Sequence, residues 1–391
     1  MKYLLITILC CFLFSDSMYA QTSTADLYIA EGDSLLKRDK KGDHARLMYQ
    51  KALADDTKRA KAYHKIAQSF VVDYRNENAD RLLDSVINYE NKARKVDPKF
   101  FDAYDWEVAA YRARWRHGMI RKVLMEAIEH LPDHPEILMM LGRNYFDTGN
   151  PGLALPYLEK SIEVGGENAP GVSYRFAGWC HFYLEDHEKQ LEYFNRFREI
   201  DAKSLMGIAG QVHSYTGLGD FEEATKLAIQ IKEDNPDYRY PAYLEAYIGE
   251  TLLFGEKLDE AIPYYEKALE LNTTADNLFA TRAVTTTLGY IYLQRGKEEE
   301  GKELLNQTIK RRMQDWKEKP ERWEFSFDIA SAYAAMGDLD QAYQWLYTSV
   351  LTGYPGHLWS RDPVFSKCHE VKAFQELIKQ VRIRVNAELS E

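Results

Sequence analysis

The sequence has few cysteines and no segment concentrated in proline, glycine or serine. It contains four cysteines in 391 residues; Cys10 and Cys11 lie in one apolar run, so Cys180 and Cys368 alone serve the rest of the chain. So few cysteines exclude the disulfide framework that stabilises small secreted domains. Without a Pro-rich or Gly/Ser-rich linker, a second domain is hard to place. We therefore expect one elongated domain.

The sequence also lacks an excess of positive charge and an apolar run of membrane length. Its 50 Lys and Arg against 61 Asp and Glu give a net charge of −11, which opposes non-specific attraction to nucleic acid. The apolar run at residues 3–14 is too short to span a bilayer. We expect neither a nucleic-acid partner nor a stable membrane span in the mature chain.

Motifs that carry catalysis or hold a metal are missing as well. The sequence contains no His-Glu-x-x-His, no Cys-x-x-Cys, no phosphate-binding Gly-Lys loop and no Gly-x-Ser-x-Gly elbow. Carboxylates are abundant but spread along the chain, so a single acidic pair has little meaning. The sequence predicts no catalytic residue, no metal site and no cofactor, and the protein is not expected to be an enzyme.

The amino terminus has the pattern of an export signal. Lys2 precedes the apolar run, and small and polar residues lead to Ala20 before Gln21. We expect cleavage after Ala20, which makes residues 1–20 a signal peptide and the mature chain periplasmic or secreted. Lipidation at Cys10 or Cys11 and an uncleaved amphipathic anchor are the alternatives. Attachment to an envelope complex also stays open.

The rest of the sequence repeats one arrangement of small and aromatic residues. Leu141, Gly142, Tyr145, Gly149 and Ala154 form one copy, and related sets return about every 34 to 41 residues. Two of these sets are Gly289, Tyr292, Gly296 and Gly301, and Ala330, Tyr333, Gly337 and Ala342. A repeated helix pair cannot bury its apolar face alone, so the pattern predicts an array of stacked pairs.

This spacing resembles that of tetratricopeptide repeats, and the resemblance implies an all-α, right-handed superhelical solenoid. We expect about nine such helix pairs over residues 21–352. Residues 353–391 are expected to form a C-terminal cap with a final helix, because Asp362, Pro363 and Phe365 resemble the end of such arrays in bacterial regulatory proteins. In a solenoid distant repeats do not touch, so Cys180 and Cys368 are not expected to be bonded.

The glycines fall into two structural classes. Gly142, Gly178, Gly249 and Gly289 lie inside first helices, where glycine costs about 1 kcal/mol relative to alanine, so their recurrence indicates close helix packing. A second set lies where first helices end and is expected to supply the turn: Gly149, Gly219, Gly296 and Gly337. Asp220 and Asp338, which follow two of these turns, are expected to cap second helices.

The resemblance also predicts which residues face the concave side. In such arrays the first helix of each pair lines that side, and the corresponding positions carry an excess of aromatic and arginine residues. The predicted partner-binding residues are Trp106, Arg143, Arg175, Phe176, Trp179, Tyr183, His213, Tyr243, Tyr247 and Tyr290. Tyrosine, tryptophan and arginine are enriched in binding hot spots, and Arg143 and Arg175 could pair with a peptide carboxylate.

We therefore interpret the chain as an exported scaffold that binds a protein or peptide in an aromatic concave groove. The family's carboxylate clamp is not reproduced, since Asp105, Ala109 and Met140 occupy its positions. One alternative is a regulatory or sensing module of an envelope signalling system, suggested by the Asp362-Pro363-x-Phe365 ending. Another is a glycan-acting enzyme of helical-repeat form, which would require acidic residues gathered in the groove.

Overall fold

A computed structural model of the protein describes residues 23–77, 79–272, 282–356 and 361–387. Within these ranges the chain is helical, with short connections and no β-strand. The predicted signal peptide, residues 1–20, lies outside the described residues, as do Leu358, Trp359 and Ser360 before the Asp-Pro ending. Contacts divide the chain into two compact units, Met1–Pro132 and Asp133–Glu391, where the sequence predicted a single array.

Unit 1 contains three consecutive helix pairs in its described part. Their helices are α1 (Thr24–Asp39), α2 (Gly42–Ala52), α3 (Arg59–Glu77), α4 (Arg81–Val96), α5 (Phe101–Ala113) and α6 (His117–His130). Each helix packs on its partner, and the second helices α2 and α4 also pack on the first helix of the next pair. The centre of the first pair shows why small residues recur, because Gly32 lies against the buried ring of Tyr49.

Unit 2 contains six further pairs. They are α7 (Pro135–Asp147) with α8 (Pro151–Gly165), α9 (Gly171–Tyr183) with α10 (His187–Ile200), α11 (Leu205–Leu218) with α12 (Phe221–Asp234), α13 (Pro241–Phe254) with α14 (Leu258–Leu271), α15 (Val284–Gln294) with α16 (Glu298–Glu318), and α17 (Trp323–Met336) with α18 (Leu339–Leu351). A 3₁₀ segment, Pro363–Cys368, and α19 (Lys372–Val385) follow. Nine consecutive pairs in the described chain confirm the predicted all-α solenoid architecture.

The close-packing role of the helical glycines is confirmed. A Cβ placed on Gly142 would lie 2.6 Å from Leu158 Cγ and 3.1 Å from the Ala154 carbonyl oxygen. The glycines at 178, 249 and 289 likewise lie against Phe194, Tyr265 and Leu305 of the paired helix. Because real Cβ atoms do not approach other heavy atoms so closely, only glycine allows these helices to cross at this separation.

The predicted turns and caps are also present. Gly149, Gly219, Gly296 and Gly337 have φ values of 74°, 81°, 75° and 83°, in the left-handed region that glycine adopts without strain. The side chains of Asp220 and Asp338 accept hydrogen bonds from the backbone N–H groups of Glu223 and Gln341, both at 3.1 Å. These interactions satisfy amide groups that the first turn of a helix leaves unpaired.

The C-terminal segment packs on the last helix pair, as a cap does. Phe365 and Phe374 are buried in one apolar cluster with residues of α17 and α18. Two arginines of α19 also bond to other parts of unit 2. Arg382 forms an ion pair with Glu185, and Arg384 donates a 2.7 Å hydrogen bond to the Val350 carbonyl oxygen.

Cys180 and Cys368 are free and buried, as expected. Distant repeats of unit 2 nevertheless touch, contrary to the expectation that repeats far apart in a solenoid do not. Gly149 lies directly against the Gly353 carbonyl group, and Gly152 lies against the Val385 and Ala387 carbonyl oxygens. The first and last pairs of unit 2 are therefore in contact.

Candidate functional site

The first helices of unit 2 form its inner surface. In addition to contacts within each pair, α7 contacts α9, α9 contacts α11, α11 contacts α13, and α15 contacts α17. Second helices of neighbouring pairs do not approach each other as closely. First helices are also more completely buried: α13 has buried residues on every side, whereas α14 buries Ala261, Tyr265 and Ala268. We use "inner surface" for the sides of α7, α9, α11, α13, α15 and α17 that face one another across unit 2.

All ten residues predicted from the sequence lie on first helices. Trp106 is on α5 of unit 1, and the other nine are in unit 2. Their helices are α7 for Arg143, α9 for Arg175, Phe176, Trp179 and Tyr183, α11 for His213, α13 for Tyr243 and Tyr247, and α15 for Tyr290. The candidate surface is therefore confined to unit 2, and Trp106 belongs to a different site.

A chain of ring contacts connects α9, α11 and α13. The Trp179 ring is 5.5 Å from the His213 ring, which is 5.5 Å from the Tyr247 ring, both in edge-to-face geometry. On α7 and α9, Phe146 contacts Phe176 at 5.1 Å, again edge-to-face. Such contacts stabilise aromatic pairs by about 0.5–1.5 kcal/mol beyond area burial. The rings thus fix the spacing of the first helices.

Burial divides the predicted residues into two groups. Five are nearly inaccessible and lie beneath the inner surface: Phe176, His213, Tyr243, Tyr247 and Tyr290. Arg143, Arg175, Trp179 and Tyr183 are partly exposed and can contact another molecule. The sequence pattern placed all nine on the correct helices but could not separate these groups, because adjacent positions on one helix differ by about 100° in direction.

Arg143 and Arg175 form the most unusual electrostatic feature of the accessible group. Their guanidinium carbons lie 5.4 Å and 4.9 Å from the centre of the Phe176 ring. Arg143 Nε is 3.4 Å from Asp147, whereas Arg175 has no hydrogen bond or ion pair with any residue in the described ranges. Burial, and then the charge of Arg143, lower the pKa of Arg175. Two cations therefore share one ring and one nearby carboxylate.

A buried polar cluster lies farther along the inner surface. Arg282, immediately before α15, forms an ion pair with Asp362, and both side chains are more than nine-tenths buried. Among the described residues, none forms a hydrogen bond with Arg282 Nη1 or Glu250 Oε2. Burial raises the pKa of Glu250 to about 7, which the charge of Arg282 partly opposes. Burial likewise lowers the pKa of His213 to about 4, and His213 Nε2 is also unpaired.

The segment at residues 361–387, here called the C-terminal strap, crosses one end of this surface. Arg361 donates a 2.6 Å hydrogen bond to the Gly217 carbonyl oxygen near the end of α11. Arg382 pairs with Glu185, directly after α9, and the end of α19 lies against Gly152 at the start of α8. The strap therefore passes over the carboxyl-terminal ends of α9 and α11. The sequence analysis did not predict this arrangement.

Unit 1 carries a separate apolar cavity of about 380 Å³. Trp106 and Asp105 of α5 line it together with Val71, Leu83 and Val86. Burial raises the pKa of Asp105, which the Arg112 charge partly offsets. The cavity has the size of a small ligand site, and most of its lining is apolar.

Two further properties concern the described ranges alone. None of their helices combines the length and the apolar character needed to cross a lipid bilayer. In the same ranges, no group of three or more His, Cys, Asp or Glu side chains is arranged to hold a metal ion.

Comparison with known proteins agrees with the repeated architecture. Two family models described as tetratricopeptide repeat match, one over residues 286–357 and the other over residues 135–164 and 248–274. A tetratricopeptide repeat protein from Parabacteroides merdae ATCC 43184 is similar in structure, with 13% identity, a TM-score of 0.52, and coverage of 73% of this chain and 98% of that one. At this identity the likeness concerns the fold.

Two other solved structures are less similar. The type IV pilus biogenesis factor PilW has 15% identity and a TM-score of 0.46, with 56% of this chain and 96% of that chain covered. The human IFIT1 dimer with PPP-AAAA has 15% identity and a TM-score of 0.44, with 88% and 76% covered.

Proposed function

Because this chain is a tetratricopeptide-repeat protein, we propose that it is a scaffold whose second unit binds an acidic peptide segment of a partner protein. The binding surface is the accessible part of the inner surface, formed by Arg143, Arg175, Trp179 and Tyr183. The observation that carries the proposal is the pair of guanidinium groups over Phe176, of which Arg175 has no carboxylate bonded to it in the described structure.

Burial of the Arg175 guanidinium beside that of Arg143 costs free energy. Removing a cation from water without a partner is unfavourable, and a second cation nearby adds repulsion. The lowered pKa of Arg175 has these two causes. A carboxylate placed between the two guanidinium groups would gain charge-assisted hydrogen bonds, each contributing about 1.5–3 kcal/mol. The site is therefore suited to an anionic group supplied by another molecule.

The surrounding rings support a peptide over a small anion. Trp179 and Tyr183, partly exposed on the same helix as Arg175, extend the surface by one and two helical turns. Rigid aromatic side chains bury contact area with little loss of conformational entropy, which is why they are frequent in binding hot spots.

A binding measurement on two variants tests the proposal. The probes are fluorescein-labelled ten-residue peptides that contain Asp or Glu beside an aromatic residue, and their matched Asn or Gln versions. We expect the double substitution Arg143→Gln and Arg175→Gln to weaken binding of the acidic probe at least tenfold, in fluorescence anisotropy. Arg196→Gln is the matched control, because Arg196 is exposed on the second helix α10 and pairs with Glu199. An equal loss of affinity in the Arg143/Arg175 double variant and in Arg196→Gln would contradict the assignment of the binding surface to Arg143 and Arg175.

The stability of the same variants separates binding from folding. Since Arg175 is charged, half-buried and unbonded, Arg175→Gln should leave the free energy of unfolding unchanged or raise it. A variant that binds less tightly while unfolding at the same or a higher urea concentration supports a functional role. Loss of stability together with loss of binding would instead indicate that Arg175 serves the fold.

We also propose that the chain acts outside the cytoplasm. The supporting feature is Lys2 followed by the apolar run and by Ala20, which precedes Gln21. Mass spectrometry of the chain recovered from a bacterial envelope fraction should find Gln21 as the first residue. Recovery of an intact amino terminus in the cytosol would end this part of the proposal.

A further inference from the structure

We propose that Arg361–Val364 of the C-terminal strap is an internal ligand of the inner surface, which a partner peptide with an acidic residue two positions before an aliphatic residue displaces. This inference rests on the proposed function and names both the partner chemistry and the regulation of that surface. It begins with the buried ion pair between Asp362 and Arg282.

Only one of the two terminal nitrogens of the Arg282 guanidinium bonds to Asp362. Its Nη2 donates to Asp362 Oδ2, but Nη1 has no hydrogen-bond partner in the part of the chain that the structure describes, although the side chain is 6% exposed. In the described structure Asp362 bonds to only one of these nitrogens, and its other oxygen, Oδ1, accepts a 3.0 Å hydrogen bond from the Val364 N–H. A carboxylate without this constraint could bond to both nitrogens of the planar fork, which is the geometry that arginine favours. Such a carboxylate has an advantage over Asp362.

Val364 supplies the second point of recognition. Its side chain is 2% exposed and belongs to an apolar cluster that contains residues of every helix from α11 to α17. Asp362 and Val364 are separated by Pro363, which lowers the entropy lost when the segment is fixed. The inner surface thus recognises a carboxylate and, two residues later, an aliphatic side chain.

Besides the buried contacts of Asp362 and Val364, two contacts that hold the strap in place are accessible to solvent. Arg361 is exposed and bonds to the Gly217 carbonyl oxygen, and the Arg382–Glu185 pair is 27% and 39% exposed. Exposed ion pairs contribute little to stability. Opening these two contacts therefore costs much less than exposing Phe365 and Phe374. A displacing peptide replaces the buried contacts of Asp362 and Val364, so the segment before Phe365 can be exchanged while α19 stays packed.

The test uses the full-length chain and a labelled peptide of residues 361–367, Arg-Asp-Pro-Val-Phe-Ser-Lys, with both ends blocked. We expect the double variant Arg361→Ala and Arg382→Ala to bind this peptide at least tenfold more tightly than the unaltered chain. The same peptide with Asp362→Asn should bind the double variant at least tenfold more weakly. Lys379→Ala, exposed on α19, is the control and should behave as the unaltered chain.

Amide hydrogen exchange supplies a second readout that does not depend on the peptide. The double variant should exchange faster at Val364 while α18 and α19 retain their protection. Equal peptide affinity in both chains, or indifference to Asp362→Asn in the peptide, overturns the inference. If the strap inference fails in this way but binding of the acidic probes still requires Arg143 and Arg175, the proposed function stands without the inference. If no probe binds any folded variant, the proposed function and the inference are both wrong.

Discussion

Substitution of Gly142 by alanine measures directly how the helix pairs pack. The new Cβ would lie 2.6 Å from Leu158 Cγ and 2.8 Å from Leu158 Cδ2, with the Ala154 carbonyl oxygen at 3.1 Å on the backbone side. Overpacking of this kind costs about 1–3 kcal/mol. Alanine regains about 1 kcal/mol of helix propensity. We expect Gly142→Ala to lower the free energy of unfolding by roughly 0–2 kcal/mol.

The Leu158→Ala background makes this prediction decisive. Leu158 is fully buried, so Leu158→Ala alone should cost about 2–5 kcal/mol. In that background the clash with Leu158 Cγ and Cδ2 is gone and only the 3.1 Å contact with the Ala154 carbonyl oxygen remains, so Gly142→Ala should be neutral or stabilise the protein by up to about 1 kcal/mol through its propensity. The two substitutions should therefore show a coupling of about 1–3 kcal/mol in a double-mutant cycle.

Urea unfolding followed by circular dichroism is the assay, with the transition of unit 2 fitted separately if two transitions appear. Gly118→Ala is the control, because nothing lies within 4 Å of a Cβ at that helical position. It should be neutral or stabilising. Additive effects of Gly142→Ala and Leu158→Ala would refute the argument that close packing selects glycine.

Three further substitutions test other parts of the structure. Phe365→Ala should lower the free energy of unfolding by about 3–5 kcal/mol in urea titrations, because the ring is fully buried against Phe327 and Phe374; no loss would mean that the strap is not a cap. His213 has a folded pKa of about 4, below its unfolded value, so stability should fall as the pH drops from about 6.5 to 4, and His213→Phe should flatten that slope. The folded pKa of Glu250 is raised to about 7, so its contribution to the free energy of unfolding is present at low pH and is lost as the pH rises from about 4.5 to 7. Glu250→Gln should remove this loss. An unchanged dependence of stability on pH would contradict the desolvation of the Glu250 carboxyl group.

Local sequence patterns predicted the helix pairs because each pair is specified by nearby residues. Gly149 and Gly337 mark turns through their left-handed backbone, and Asp338 marks a helix start through its cap. These requirements involve residues a few positions apart, so one sequence suffices to detect them.

Contacts between distant pairs could not be predicted in the same way. Whether Gly152 meets the end of α19 depends on small rotations summed over six helix pairs, which no local pattern encodes. Gly152 itself was the available signal, because it is a glycine in the first turn of α8 outside the repeat pattern. The same limit applies to Asp362, whose partner Arg282 is eighty positions earlier.

The candidate surface was predicted at the level of helices and less well at the level of side chains. Tyr247 and Trp179 are both on first helices, yet the first is 2% exposed and the second is partly exposed. A small difference in helix rotation decides between these outcomes. Arginine positions were more informative, because a half-buried cation without a partner is unfavourable in a purely structural role.

The most direct test of the account is where an acidic peptide contacts the folded chain. Hydrogen exchange with the acidic probe should slow amides of α7 and α9 around Arg143 and Arg175, and leave the second helices α8 and α10 unchanged. The matched Asn or Gln probe should protect neither region. Protection on α8 and α10, or equal protection by both probes, would contradict recognition of a carboxylate on the inner surface.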